Sequence, residues 1–223
     1  MVADFARENN LERGIIMQTY DVGNRRVPEY EDMLFQMNVA AAFGCTEYCV
    51  YQYMPAANSN GTDFPNENNY ATKWDGSPNP LWYGVRDTFH ELAYNSKYIT
   101  NFDYKGVNIK RTEQTAATGW GYTMGVKNDE FSKLSSYDFV MLKDMGGLLL
   151  ISELYDEKND QWAYYVVNAT DSGISSEMSV TLTFNDYENV QMVQSMNTFN
   201  AGLKEHTITF ELGSGRAAIV MPY

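Results

Sequence analysis

The spacing of apolar residues in this chain changes near residue 103. Before that point short apolar runs alternate with segments of period about 3.6; after it the period is close to 2. Residues 2–12 read as a helix that ends by Gly14. Residues 14–21 (GIIMQTYD) are a short run rich in β-branched and aromatic side chains, which predicts a buried strand. A turn follows over 22–26. Pro28 then opens a helix whose Glu29, Glu31 and Asp32 face the positive end of its dipole. Leu34, Met37 and Ala41 form its apolar face, and Gly44 ends it. Residues 46–54 (TEYCVYQYM) predict a second strand, followed by a long polar loop over 55–78. Loops of more than about 15 residues are uncommon in compact domains and are usually functional or disordered. Asn79 and Pro80 open the next helix as cap and first residue, with Leu81, Val85, Phe89 and Leu92 as its core stripe.

From residue 104 onward the pattern predicts strands only: 106–112, 137–143, 148–155, 161–168, 178–184, 190–195, 206–211 and 216–221. Turn residues separate them, including 156–160 (DEKND), 171–173 (DSG) and 213–215 (GSG). Short strands at this spacing argue for an antiparallel β-sandwich. The polar stretch 113–136, which holds Trp120, reads as a loop or an irregular edge. The chain is therefore expected to be α/β and then all-β, with a division at 1–103 and 104–223. Two parallel strand–helix units are too few to cover both faces of a parallel sheet. The first part is accordingly expected to be the end of a larger α/β domain, truncated at its N-terminal side. Its exposed α/β surfaces and open edges predict a homo-oligomer.

Composition narrows the function classes. The formal net charge is −13, from 29 acidic and 16 basic residues. Such a field repels phosphate backbones and anionic lipid heads, which argues against nucleic-acid and membrane-surface roles. No stretch of 18 apolar residues spans a membrane. The first residues (MVADFARENNLERG) lack the apolar run of a signal peptide, so the chain as written reads as cytoplasmic or as one whose leader was removed; the location stays open. Cys45 and Cys49 are four apart, about 13 Å on a strand, too far for a disulfide, and both are expected as free, buried thiols. The only histidines, His90 and His206, have no third ligand near them in sequence, so no metal or cofactor is expected. Asn60 and Asn168 stand in glycosylation-type triplets, a short pattern common by chance. The 17 Tyr and 4 Trp fit either β-sheet packing or stacking on sugar rings.

The strand IIMQTYD, the helix with FQMNVAAAFG, the strand TEYCVYQYM and the tail WDGSPNPLWYGVRDTFHEL resemble the C-terminal quarter of the (β/α)8 barrel of clan A glycoside hydrolases of the β-galactosidase type. The segments LLLISELYDEKNDQWAYYVVN and LGSGRAAIVMPY are similar to the sandwich that often follows such barrels. The resemblance implies a partial (β/α)8-barrel segment, its last two strand–helix units, followed by an antiparallel β-sandwich. It implies carbohydrate as the partner and leaves a secreted parent protein open. It makes 14–21 the seventh barrel strand and 46–54 the eighth, with the active face at their C-terminal ends. Where the family's nucleophilic Glu is expected, this chain has Gln18 or Thr19. An amide forms no glycosyl ester, and the strand bearing the acid/base Glu is absent from this chain. The expectation is thus a hydrolase fragment that is not catalytically competent alone; the alternative is a non-catalytic carbohydrate-binding or interaction module.

Candidate residues follow from these positions. Asp21 is the carboxylate nearest the nucleophile position and is either a variant catalytic group or the cap of the turn at Gly23 and Asn24. Gln18, Tyr20, Gln52 and Tyr53 lie at the active-face strand ends and are candidates for contacting sugar hydroxyls and rings. Asp63 and Trp74 belong to the polar loop over the same end, where Trp74 either stacks on a sugar or pins a turn. Glu47 stands at the opposite end of its strand, where a structural role such as an ion pair is expected.

Overall fold

The computed structural model describes residues 2–20, 27–55, 66–111, 131–142, 146–171 and 176–223. The chain begins with a short helix, α1 (Val2–Glu8), whose Arg7 guanidinium donates to the carbonyl of Lys105. Strand β1 (Gly14–Gln18), helix α2 (Tyr30–Ala42), strand β2 (Glu47–Tyr51) and helix α3 (Pro80–Ile99) follow. The α2 N-terminus is closed by Asp32, whose Oδ2 accepts the Glu29 N–H at 2.8 Å. Its C-terminus closes in the Schellman pattern: Gly44 N–H reaches Ala41 O at 2.8 Å and Cys45 N–H reaches Ala40 O at 3.0 Å. Gly44 has φ +72°, and a Cβ there would lie 2.7 Å from the Tyr104 ring, so both its conformation and its neighbour require glycine.

Nine further strands complete the chain: β3 (Asp103–Arg111), β4 (Ser136–Met141), β5 (Leu148–Asp156), β6 (Gln161–Asn168), β7 (Glu177–Thr183), β8 (Asn189–Gln194), β9 (Asn197–Gly202), β10 (Thr207–Gly213) and β11 (Ala217–Pro222). They form a six-stranded antiparallel sheet in the order β3-β5-β6-β11-β8-β9 and a three-stranded one in the order β10-β7-β4. One core lies between these sheets and includes Leu149, Ile151, Tyr164, Val166, Val180, Leu182, Phe184 and Leu212. A second core lies on the other face of the six-stranded sheet. There Leu150, Tyr165, Val167 and Ile219 meet Phe35, Val39 and Ala42 of α2 and Tyr94 and Tyr98 of α3. The central strands β5, β6 and β11 are thus covered on both faces, which is why LLLIS, AYYVV and AAIVM are continuous apolar runs.

This arrangement overturns the expected fold class. No helix–strand repeat of a barrel is present among the described residues, where eleven strands stand against three α-helices. The β-sheet is mostly antiparallel, and β1 and β2, in register from Gly14 with Glu47 to Gln18 with Tyr51, are the only parallel pair among the described residues. A sandwich-like pair of antiparallel sheets dominates, with α2 and α3 laid on its back. The partial-barrel reading failed because periodicity reports that a helix has an apolar face, not what that face covers. Here one side of α2 covers β5 and β6 and another covers β1.

Polar groups fasten the helical layer to the sheet. The Tyr165 hydroxyl donates to Asn38 Oδ1 at 2.7 Å, and Asn38 Nδ2 donates to Gly215 O at 2.8 Å; all of this is buried. Burial pushes the Tyr165 phenol well above its ordinary pKa. Next to it, Glu91 is only 2% exposed and its Oε2 accepts from Arg216 Nη1 at 3.3 Å and from the Tyr30 hydroxyl at 3.2 Å. The Arg216 guanidinium also lies over the Tyr30 ring, 5.0 Å from its centre. Asn168, one of the triplet asparagines, is fully buried and donates to Leu212 O at 2.9 Å, a structural position closed to a glycan. Asn60, Trp120 and the turn at 22–26 lie outside the described residues.

Two outcomes are expected. Arg216→Met leaves Glu91 without its cation and costs about 3 kcal/mol in urea unfolding, while Glu91→Leu with Arg216→Met recovers part of that loss. Additive losses in the double variant would dismiss the coupling. The second concerns Glu153, a buried carboxyl that accepts Ser132 N–H at 2.6 Å; burial raises its pKa. A raised folded-state pKa means the folded chain binds the proton more tightly. That contribution is complete below about pH 4 and is lost as pH rises through the raised value. Glu153→Gln is therefore expected to flatten the fall in stability above that range, read from unfolding midpoints across pH; parallel profiles for the two proteins would refute this.

Candidate functional site

The C-terminal ends of β1 and β2 carry a cluster of aromatic rings, built from the backbone outward. Thr19 N–H donates to Tyr51 O at 2.9 Å and so continues the parallel pairing past β1. The Gln36 side chain on α2 bonds both backbone groups of Gln18, accepting its N–H at 2.8 Å and donating to its C=O at 3.2 Å. Gln18 Nε2 in turn donates to Tyr20 O at 3.0 Å. These bonds fix the turn that sets the Tyr20 ring against two others. It stacks on Tyr70 at 5.8 Å and 15°, and it meets Tyr51 edge-on at 5.5 Å and 81°. The Tyr70 phenol is pushed up by burial first and then by the nearby Tyr20 and Tyr51 oxygens.

A tight hairpin extends this cluster. Tyr53 O accepts Thr72 N–H at 3.1 Å, Thr72 bridges Pro78, and Lys73 N–H donates to Ser77 O at 2.9 Å. Gly76 takes φ +82° at the tip, and Asp75 Oδ1 accepts Ser77 N–H at 2.9 Å; hydrogen bonding to the Ser77 side chain first, and then to this N–H, holds the Asp75 carboxyl below its ordinary pKa. Glu67 Oε2 accepts Trp74 N–H at 3.2 Å. From below, the buried Asn79 amide donates to Glu67 O at 2.6 Å and Tyr70 O at 3.0 Å. Trp74 is thereby held at the surface, 38% exposed, on a backbone with its own hydrogen bonds; Tyr51 is 54% exposed and Tyr53 40%.

The structure brings Tyr20, Gln52, Tyr53 and Trp74 to one end of the sheet. Gln52 contributes its carbonyl, which accepts from the Thr19 hydroxyl at 3.5 Å. The Gln18 side chain turns away from the rings and, with Asp32, Phe35, Gln36, Ala169 and Asp171, lines a cavity of about 500 Å³ between α2 and the six-stranded sheet. Asp21 and Asp63 lie outside the described residues. Glu47 is exposed at the start of β2, beside Gly14. Sequence reasoning missed Tyr51 and Tyr70. Tyr51 was within reach, since period-2 alternation puts it on the exposed face with Glu47 and Cys49. Tyr70 sits in a loop, where no period applies.

Among the described residues no group of three or more His, Cys, Asp or Glu side chains is placed to hold a metal. No helix there is long and apolar enough to cross a membrane. No family model matches the chain, and no curated protein matches it significantly. Chemically, the exposed rings of Tyr51, Tyr53 and Trp74 offer surfaces for C–H groups and phenol hydroxyls that both donate and accept, with the buried Tyr70 beneath them as support.

Removing the support beneath the rings tests how the site is built. Asn79→Ala leaves Tyr70 O without its donor and Glu67 O with the Tyr70 N–H alone, and is expected to cost about 2 kcal/mol. It should also raise the solvent accessibility of Trp74 to an acrylamide quencher, an increase that a purely global effect on stability would not produce in the folded protein.

Proposed function

We propose that this chain is a carbohydrate-binding part of a glycoside-hydrolase-like protein, engaging sugar without cleaving it by itself. The observation that carries the reading is the ring cluster of Tyr20, Tyr51 and Tyr70, continued by Tyr53 and the Trp74 hairpin. Pyranose rings present apolar C–H faces and equatorial hydroxyls. Rigid aromatic rings with polar tips match both, and ordering them costs little because the backbone is already fixed. The nearest carboxylates on the hairpin, Glu67 and Asp75, are engaged as acceptors for backbone N–H groups, a supporting role rather than a catalytic one. The likeness of segments 148–168 and 212–223 to the sandwich of glycoside hydrolases supports the choice of ligand class, whereas the barrel half of that likeness is overturned by the fold.

A second reading is self-association, favoured by the bare outer face of the β1–β2 sheet. Ile16 on that face is 70% exposed, and Cys49 and Tyr51 beside it are also exposed.

Titration with a panel of neutral oligosaccharides, followed by NMR shifts or calorimetry, tests the first reading. Binding in the micromolar-to-millimolar range is expected. Tyr51→Ala or Trp74→Ala should weaken it roughly tenfold, about 1.4 kcal/mol. A panel silent at millimolar sugar would end this reading, and binding unchanged in both variants would move it off the patch.

A further inference from the structure

Strand β2 has one satisfied edge and one bare edge. Its odd-numbered residues turn their backbone groups toward β1: Glu47 N–H donates to Arg13 O at 3.1 Å, and Tyr51 O accepts Thr19 N–H at 2.9 Å. Alternation then turns the N–H and C=O of Tyr48 and Val50 the other way. Among the described residues nothing bonds these four groups, and the sheet stops at two strands. Between them sits Cys49, whose free thiol is exposed and not buried as the sequence pattern suggested, because its side chain falls on the outer face of the two-stranded sheet.

Hydrogen-bond and charge complementarity identify what fits. Two outward donor–acceptor pairs spaced two residues apart are met by an extended backbone. The edge is also complementary to itself. An antiparallel copy, related by a two-fold axis through Cys49, sets Tyr48 opposite Val50 of the second copy and Val50 opposite its Tyr48. Each of these pairs exchanges both N–H···O bonds, so all four bare groups on each chain are met. The same register sets Glu47 opposite Tyr51 of the second copy. The one charged side chain of this face, made up of the exposed Gly14, Ile16, Glu47, Cys49 and Tyr51, therefore meets a phenol donor instead of its own duplicate. Like charges never face each other, although the chain as a whole carries −13.

We propose that the β2 edge is the contact between two copies of this chain, paired antiparallel with Cys49 at the dyad. The proposal rests on the self-association reading and gives it a geometry. Cys49 and its duplicate form a non-hydrogen-bonded pair, about 4.5 Å between Cα atoms, which lies inside the range a disulfide spans. That spacing makes the thiol a reporter.

The experiment pairs sedimentation with cross-linking by diamide. The two thiols lose two protons and two electrons to the azo bond of the reagent, and one S–S bond forms between chains. A dimer at high micromolar concentration is expected, with rapid cross-linking that survives Cys45→Ser and vanishes in Cys49→Ser. Cys49→Lys, a change at an exposed position, sets two ammonium groups face to face and should weaken association several-fold. A monomer at every concentration overturns the proposal together with the self-association reading. A dimer that ignores Cys49→Lys and does not link through Cys49 overturns the β2 edge alone and leaves association standing.

Discussion

Burial of the six-stranded sheet on both faces is the constraint on which the rest of this structure depends. A sheet in water needs one covered face, and the three-stranded sheet supplies it through Leu149, Ile151, Tyr164 and Val166. The strands β5, β6 and β11 carry a second apolar face, with Leu150, Tyr165, Val167 and Ile219, and exposing it would forfeit roughly 25 cal/mol for each square ångström of apolar surface. Helices α2 and α3 exist in this chain as the cover for that face. Their amphipathic stripes are set by the sheet beneath them as much as by β1 and β2.

The position of the aromatic cluster follows from that cover. Helix α2 is pinned to the sheet at both ends: Arg216 and Glu91 hold Tyr30 near its start, and Asn38 is clamped between Tyr165 and Gly215 further along. Gly215 itself packs so closely that a Cβ would lie 3.0 Å from Glu31 O, so this turn of the sandwich is shaped to α2. Gln36 on the same helix then sets the end of β1, and β1 sets Tyr20 and Tyr51. A chain of directional bonds therefore runs from the buried Tyr165 to the exposed rings. The sandwich acts as the foundation of the site although none of its residues belongs to the ring cluster.

How much of this was legible in the sequence depended on whether the signal was local. Gly44 marked the end of α2 because a left-handed residue is needed there and glycine supplies it cheaply. Period-2 alternation marked most sandwich strands. It ended β8 correctly but missed β9, because their turn uses Ser195 and Met196 at φ +48° and +57°, positions where glycine or asparagine is the usual hairpin signal. The barrel expectation failed on a non-local question, the identity of the surface under α2. At the site, Tyr20 and Tyr53 could be placed by strand direction, and Trp74 by the loop that follows the second strand. Tyr70 joins them only through the loop held by Asn79, a contact nine residues away in sequence that no pattern encodes.

The two edges of the β1–β2 sheet show what the fold has done with a short parallel pair. At the β1 edge the side-chain amide of Gln36 stands in for a neighbouring strand, giving Gln18 both an acceptor and a donor. An amide is suited to this because it carries the same two groups, in nearly the same geometry, as the peptide it replaces. Further along, Tyr53 O on the other strand is taken by Thr72 of the hairpin. The middle of the β2 edge has no such substitute. Charged residues and prolines are the usual means of blunting an exposed edge, and Tyr48, Cys49 and Val50 are neither. Gln36 meets the β1 edge at Gln18 alone, so among the described residues the two-stranded sheet is open at Ile16 on one side and at Tyr48 and Val50 on the other.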